Sequence, residues 1–133
     1  MDLDKFKNIN DTYGHPFGDV VLAKVSETIQ KTLRPVDYVI RYGGEEFIAV
    51  VQSDAGVKPF DIAERVRLAV EKLSIRNEKQ GVDIRMTISI GISTYVLGST
   101  PAAMIEQADK AMYESKKERN KTTLFTPEMS QDS

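Results

Sequence analysis

The stretch Tyr38-Val39-Ile40-Arg41-Tyr42-Gly43-Gly44-Glu45-Glu46-Phe47-Ile48-Ala49-Val50-Val51 sets a short apolar run on either side of a glycine pair. It reads as a hairpin: glycine takes turn conformations without steric cost, and the branched and aromatic flanks suit a pleated surface. Two glutamates directly after two glycines are more than a turn requires. Glycine lets another molecule approach the backbone, since no Cβ stands in the way. Carboxylates beside such an opening suit a hard divalent cation. A solvated hairpin tip accounts for the same four letters equally well.

Upstream of the hairpin, Arg34-Pro35-Val36-Asp37 marks a turn, because proline disfavours helix in the residue before it. Before that turn, Leu22, Val25, Ile29 and Leu33 fall on one stripe at helical spacing, with Asp19 as the expected N-cap. The segment from Lys5 to Gly18 is rich in Asn, Asp, Gly and Pro and reads as a loop. Downstream, a helix is expected after Pro59, with Ile62, Val66, Val70 and Leu73 on its apolar face, and Gly81 marks a break. Ile84, Met86, Ile88, Ile90 and Ile92 alternate with smaller or polar residues, predicting one long strand. Thr100-Pro101 starts another helix, a hydroxyl at the cap and proline in the first turn, with Ile105, Ala108, Met112 and Ser115 on one face. Thr122 to Phe125 is expected to be a short last strand, and the tail from Thr126 is polar. Helices alternating with strands indicate an α/β sandwich, helices packed on a central sheet. Residues 1–126 form one domain in this reading and 127–133 a tail.

Composition narrows the chemistry. The 133 residues carry 18 basic and 20 acidic side chains, a net charge of −2, which argues against a general nucleic-acid surface. No cysteine is present, so any metal must be held by oxygen or by His15, the single histidine. No apolar run is long enough to cross a bilayer and no signal-peptide pattern opens the chain, so this segment is expected to make no membrane contact and to work in the cytoplasm, with a membrane anchor elsewhere in the parent protein left open. Asp2 and Asp4 form a second acidic element. Magnesium in nucleotide sites takes one or two carboxylates plus phosphate oxygens, whereas an isolated Asp-x-Asp is more often a strand end with exposed acids.

Asp2-Leu3-Asp4-Lys5-Phe6-Lys7-Asn8-Ile9-Asn10-Asp11-Thr12-Tyr13-Gly14-His15, followed by Gly18-Asp19, resembles the nucleotide-binding segment of the GGDEF family. Arg41-Tyr-Gly-Gly-Glu-Glu-Phe47 is similar to that family's naming motif in its Glu-Glu form, and Asp109-Lys-Ala-Met-Tyr113 to its late helix. The likeness runs from Met1 to about Phe125. It implies a nucleotidyl-cyclase-like, ferredoxin-like βαββαβ sandwich (α+β) with a mostly antiparallel central sheet. It also implies a diguanylate cyclase: two GTP condense to cyclic di-GMP and pyrophosphate across a homodimer. By the resemblance, Asp2, the Leu3 carbonyl and Glu45 would hold Mg²⁺ or Mn²⁺. The amides near Lys5 and Phe6 would receive the terminal phosphates, with Gly43 and Gly44 beside the substrate. Asn10 and Asp19 would hydrogen-bond guanine; an acceptor-only carboxylate suits guanine's donor edge and rejects adenine. Glu46 would assist either metal binding or proton removal. Lys116 and Arg119 would reach the triphosphate. Arg34 and Asp37 would form the inhibitory Arg-x-x-Asp product site, although such a pair is ordinarily a surface ion bridge. His15 would serve packing rather than catalysis.

Two departures qualify the likeness. The family usually has a glycine before Arg-Asn, which is absent before Arg119-Asn120, so Lys116 and Arg119 stand three apart rather than four. The family's domain also begins a few tens of residues earlier, with a helix and the strand leading into Asp2. On this reading the first helix and most of the first strand are missing, and the chain by itself is expected to be a weak or inactive cyclase. A sensor or receiver domain is expected upstream in the full protein. The other functional class open to the sequence is a non-catalytic module binding GTP or cyclic di-GMP; a cyclase using adenine is disfavoured by Asp19.

Overall fold

The computed structural model describes residues 1–53 and 56–130. The hairpin forms as its sequence predicts: β2 (Tyr38–Arg41) runs antiparallel to β3 (Phe47–Val50), with Tyr38 opposite Val50 and Arg41 opposite Phe47. Arg41 clamps the turn by donating to the Gly43 and Gly44 carbonyls, the shortest contact being 2.7 Å to Gly44.

Strand β1 (Asp2–Leu3) lies between this hairpin and β6 (Ile88–Ile92). One edge pairs antiparallel with β6, Asp2 opposite Ser89 and Leu3 opposite Ile88. The other edge meets the hairpin through a bridge from Asp2 to Glu46 and a 2.9 Å bond from the Phe47 amide to the Met1 carbonyl. Strand β7 (Thr122–Leu124) completes the sheet in parallel to β6. Pairing among the described strands is thus mostly antiparallel, with β6–β7 the parallel exception.

The two faces of β6 are filled differently. Ile88 and Ile90 belong to a core with Leu3 of β1, with Val21, Val25 and Ile29 of α2 (His15–Thr32), and with Ile62, Val66 and Val70 of α3 (Pro59–Glu71). Each such side chain, fully buried, contributes about 1.5–3 kcal/mol. On the opposite face Gly91 lies against α4 (Pro101–Glu118) so closely that a Cβ there would sit 2.2 Å from the Ala108 carbonyl oxygen. Helix α4 meets the sheet through small residues, Ala111 and Ser115, and the Ser115 hydroxyl donates to the Ile90 carbonyl at 2.8 Å. The predicted cap is present: Thr100 Oγ1 accepts from the Ala103 amide.

Three expectations are corrected. Lys5 to Gly18 is helical rather than loop: α1 (Phe6–Tyr13) is followed, after Gly14 at φ 91°, by α2 from His15. Asp19 is therefore not an N-cap but an exposed residue inside α2, whose cap position is Gly14. The sequence is polar there because only Phe6 and Ile9 of α1 turn inward. Last, the alternation from Ile84 to Ile92 is not one strand. Strand β5 (Val82–Arg85) turns back on β4 (Ser74–Asn77) as a separate hairpin, and the chain re-enters the sheet at Ile88. Of the polar tail, Pro127–Ser130 forms a 3₁₀ turn, and residues 131–133 lie outside the described residues.

Candidate functional site

A cleft of about 440 Å³ opens where the end of β1, the first turn of α1, the β2–β3 turn and the last turn of α4 converge. It is lined by Asp2, Leu3, Lys5, Phe6, Glu45, Lys116 and Arg119, all singled out in the sequence, together with Lys7 and Asn8. Lys5 holds a left-handed conformation (φ 57°, ψ 31°) that swings the chain from β1 into α1. The Asn8 amide already donates to the Lys5 carbonyl at 3.0 Å, while the first two amides of α1, those of Phe6 and Lys7, have no carbonyl within the helix to bond and suit whatever enters. With Lys5 and Lys7 beside them, this end of the cleft suits an anion.

The acidic end is built across the sheet. The Asp2–Glu46 bridge and a 3.3 Å bond from the Leu3 amide to the Glu45 carbonyl bring the hairpin acids alongside β1. Burial, and then the Asp2 carboxylate, raise the Glu45 carboxyl above the usual range; Lys116 pulls it down and Glu46 pushes it up again. An acid disfavoured as an anion by its anionic neighbours is one a cation would stabilise. Among the described residues no three acidic or histidine side chains converge on one point. The oxygens that line this end of the cleft are the Asp2 and Glu45 carboxylates and backbone carbonyls.

A cation is already seated there. Lys116 Nζ lies 2.8 Å from Asp4 Oδ1, 3.1 Å from Asp2 Oδ1, and 3.2 Å from each of the Asp2 and Leu3 carbonyl oxygens. The lysine expected to point at phosphate lies on the oxygens expected to hold metal. Asp4, by contrast, is no open ligand. It is buried and accepts from Thr87 Oγ1, Ser89 Oγ, Lys116 Nζ and the Asn120 amide. Burial opposes its ionisation, but these hydrogen bonds, Lys116 first, hold its carboxyl below the ordinary carboxylate value.

Asn10 and Asp19 stand outside this cleft, at the corner of α1 and α2. The Asn10 Oδ1 atom is buried without a hydrogen-bond partner among the described residues. It reaches over Gly18, where a Cβ would fall 1.8 Å from it, so the glycine before Asp19 is what admits the amide. Gly18→Ala should displace Asn10 and cost about 1–3 kcal/mol as an overpacked site; a lowered melting temperature is the expected result.

Arg34 and Asp37 lie beyond the other end of β2 and do not line the cleft. They grip each other: Arg34 Nε and Nη2 donate to the two Asp37 carboxylate oxygens at 2.9 and 3.0 Å. The Arg34 and Gln52 amides also donate to that carboxylate, and Arg34 Nη2 donates to the Gln52 carbonyl. The guanidinium holds Asp37 below its ordinary carboxyl value against the effect of burial.

The sequence profile described as "Diguanylate cyclase, GGDEF domain" matches residues 1–122. The chain belongs to the GGDEF family. Within that family it is 47% identical over 126 residues to diguanylate cyclase A of Treponema denticola, covering 93% of this chain and 33% of the relative. It is 40% identical over 126 residues to diguanylate cyclase DosC of Escherichia coli K12, covering 94% of this chain and 27% of the relative. The chain thus spans about a third of the length of such relatives or less. Its GGDEF fold superposes with a TM-score of 0.89 on the GGDEF domain of YfiN (TpbB) from Pseudomonas aeruginosa, at 34% identity, covering 98% of this chain and 77% of that one. The GGDEF domain of DgcB from Caulobacter crescentus, solved in complex with c-di-GMP, gives a TM-score of 0.81 at 32% identity over 92% of this chain and 73% of that one.

Some contributors had no sequence signal strong enough to single them out. Thr87, just before β6, and Ser89 within it read as ordinary polar alternates, yet both serve Asp4. Asn120 donates its amide to Asp4 and its side chain to Glu71, and accepts from Arg67. The missing glycine before Arg119 also has a structural answer. Arg119 itself takes φ 65°, ψ 164°, a region nearly reserved for glycine, with Asn120 following at φ 47°. Backbone strain at the end of α4 is the cost of keeping Arg119 on the cleft.

Proposed function

We propose that this chain is the catalytic domain of a diguanylate cyclase that joins two GTP molecules into cyclic di-GMP in a divalent-metal-dependent reaction. The observation that carries the reading is the cleft itself, where hard oxygens from Asp2, Leu3 and Glu45 face the free amides at the start of α1. The hard oxygen set suits Mg²⁺ or Mn²⁺, and a positively charged ammonium already lies on two of its members, the Asp2 carboxylate and the Leu3 carbonyl. Asp2, the Leu3 carbonyl and Glu45 would hold the metal. Bound there, it would neutralise charge on the phosphate oxygens.

The chain's own residues do the rest. The amides around Lys5 and Phe6 and the side chain of Arg119 bind the triphosphate, with Gly43 and Gly44 leaving room for it at the hairpin turn. Asn10 hydrogen-bonds guanine through its side-chain amide, and Asp19 accepts from the base's N1–H and amino group. Glu46, tied to Asp2 by the bridge, supports Glu45 or takes the proton of the attacking hydroxyl. The 3′-oxygen of one GTP attacks the α-phosphorus of the other, pyrophosphate leaves and the hydroxyl proton is lost. A second attack in the reverse sense closes the ring. Each domain holds one GTP, so two copies must face each other, and control acts on how they meet. A sensor or receiver domain in the remaining length of the parent protein would supply that control, and a GTP-consuming reaction of this kind belongs in the cytoplasm.

The deciding experiment is cyclic di-GMP formation from GTP and Mg²⁺, with ATP as a competing substrate. Product from GTP alone supports the reading. Equal use of ATP removes the guanine assignment of Asn10 and Asp19, and nucleotide binding without turnover, both in this chain and in one extended upstream, favours a receptor instead.

Product inhibition at Arg34 and Asp37 belongs to the same proposal. The fork that Arg34 makes with Asp37 is the geometry it would offer a phosphate. Arg34→Lys keeps the charge beside Asp37 but loses the planar fork. Cyclic di-GMP should then bind at least about tenfold more weakly by calorimetry, the loss of one charge-assisted hydrogen bond. Unaltered affinity would move the product site elsewhere.

A further inference from the structure

We infer that Lys116 is a resident counter-cation that must leave its position before a divalent metal can load, so that it couples metal binding to triphosphate binding. The inference rests on the metal site proposed above and adds a competitor to it. Lys116 Nζ has four oxygen neighbours within 3.2 Å, contributed by Asp2, Leu3 and Asp4. An ammonium has only three protons to donate, so this is the surrounding of a general cation rather than a set of directed bonds. Two of the neighbours, the Asp2 carboxylate and the Leu3 carbonyl, are atoms the metal would need. Ammonium and metal cannot share them.

The lysine has somewhere to go. Its side chain comes from α4, lines the same cleft as the α1 amides, and is 28% exposed. Displaced from the oxygens, it is free to meet phosphate at the other end. Asp4 retains three further donors, Thr87, Ser89 and Asn120, so the departure does not strand a buried anion. Metal binding therefore releases a phosphate ligand, and triphosphate binding draws away a metal competitor. By linkage each favours the other by the same factor. Nucleotide-free domain holds metal weakly, and metal and nucleotide load together.

The test is Mn²⁺ binding to the full chain without nucleotide, read from the electron paramagnetic resonance signal of free Mn²⁺. Lys116→Met removes the competitor and is expected to tighten Mn²⁺ by about tenfold or more, the equivalent of one charge-assisted hydrogen bond that no longer has to break. Lys116→Gln keeps a donor for Asp4 and should tighten it similarly, whereas tightening in the methionine variant alone would overturn the inference. Lys7→Met removes a charge from the same cleft without clearing the oxygens, and less than about a twofold change is expected, because exposed charges are well screened. An effect from Lys7→Met equal to that from Lys116→Met, or no tightening at Lys116 at all, rejects the counter-cation role while leaving the metal site standing. If Asp2→Asn changes Mn²⁺ affinity in neither background, the metal site itself is wrong and both readings fall.

Discussion

Glu45→Ala is expected to reduce cyclic di-GMP formation by about 10³-fold, the scale on which loss of one group stabilising transition-state charge is felt. Glu45 is half-buried beside Asp2 and Glu46, and those neighbours disfavour its anionic form. Without metal its carboxylate is thus a burden on the fold. A raised pKa means that stability from this group increases as pH falls through the raised value and is absent above it. The alanine variant should accordingly melt no earlier than the parent chain at neutral pH. With Mn²⁺ in large excess over its dissociation constant the sign reverses: the parent chain gains thermal stability from the metal and the variant does not. Glu45→Gln, of nearly the same volume, should behave like alanine in both assays, which separates lost charge from lost packing. A Glu45→Ala protein turning over at the parental rate would exclude this carboxylate from the chemistry.

The hairpin carrying Glu45 was legible because its signal is local: strand formers, two glycines, strand formers. The helical stripes Leu22-Val25-Ile29 and Ile62-Val66-Val70 were legible for a similar reason, since periodicity reports the face an element buries. Helix α1 was hidden. Eight residues with only Phe6 and Ile9 buried leave no stripe to read, and its start is set by left-handed Lys5 rather than by a capping side chain. The strand break after Arg85 was hidden as well. Ile84, Met86 and Ile88 are all buried, so alternation continues across a point where the hydrogen-bond partner changes from β4 to β1. For the cleft, motif likeness named the lining residues, while the pairings came only with the fold. Nothing in Asp2-Leu3-Asp4 distinguishes an acid facing the cleft from one turned into a cage of donors.

That cage makes Asp4→Ala the substitution with the largest expected effect on stability. Asp4 is only 4% exposed, and its two carboxylate oxygens gather Lys116 from α4, Thr87 and Ser89 from the edge and body of β6, and the strained Asn120 amide beyond α4. Removing it leaves those donors without their acceptor and costs about 3–5 kcal/mol, as expected for breaking a buried charged pair. That is a large share of the roughly 5–15 kcal/mol that holds a typical domain together. The pH dependence supplies a second, independent reading. Because the folded-state carboxyl titrates below its ordinary value, its contribution is complete above the usual carboxylate range and disappears as pH falls through the lowered one. The parent chain should lose stability on that acid limb, and Asp4→Asn, which cannot ionise, should lose less of it. Equal melting temperatures and equal acid slopes in parent and variants would mean the donors are satisfied by water once Asp4 is gone. The expected result instead makes Asp4 the post from which the site is hung: it fixes the end of β1, and with it the Asp2 and Leu3 oxygens, against β6 and against the end of α4, which carries Lys116 and Arg119.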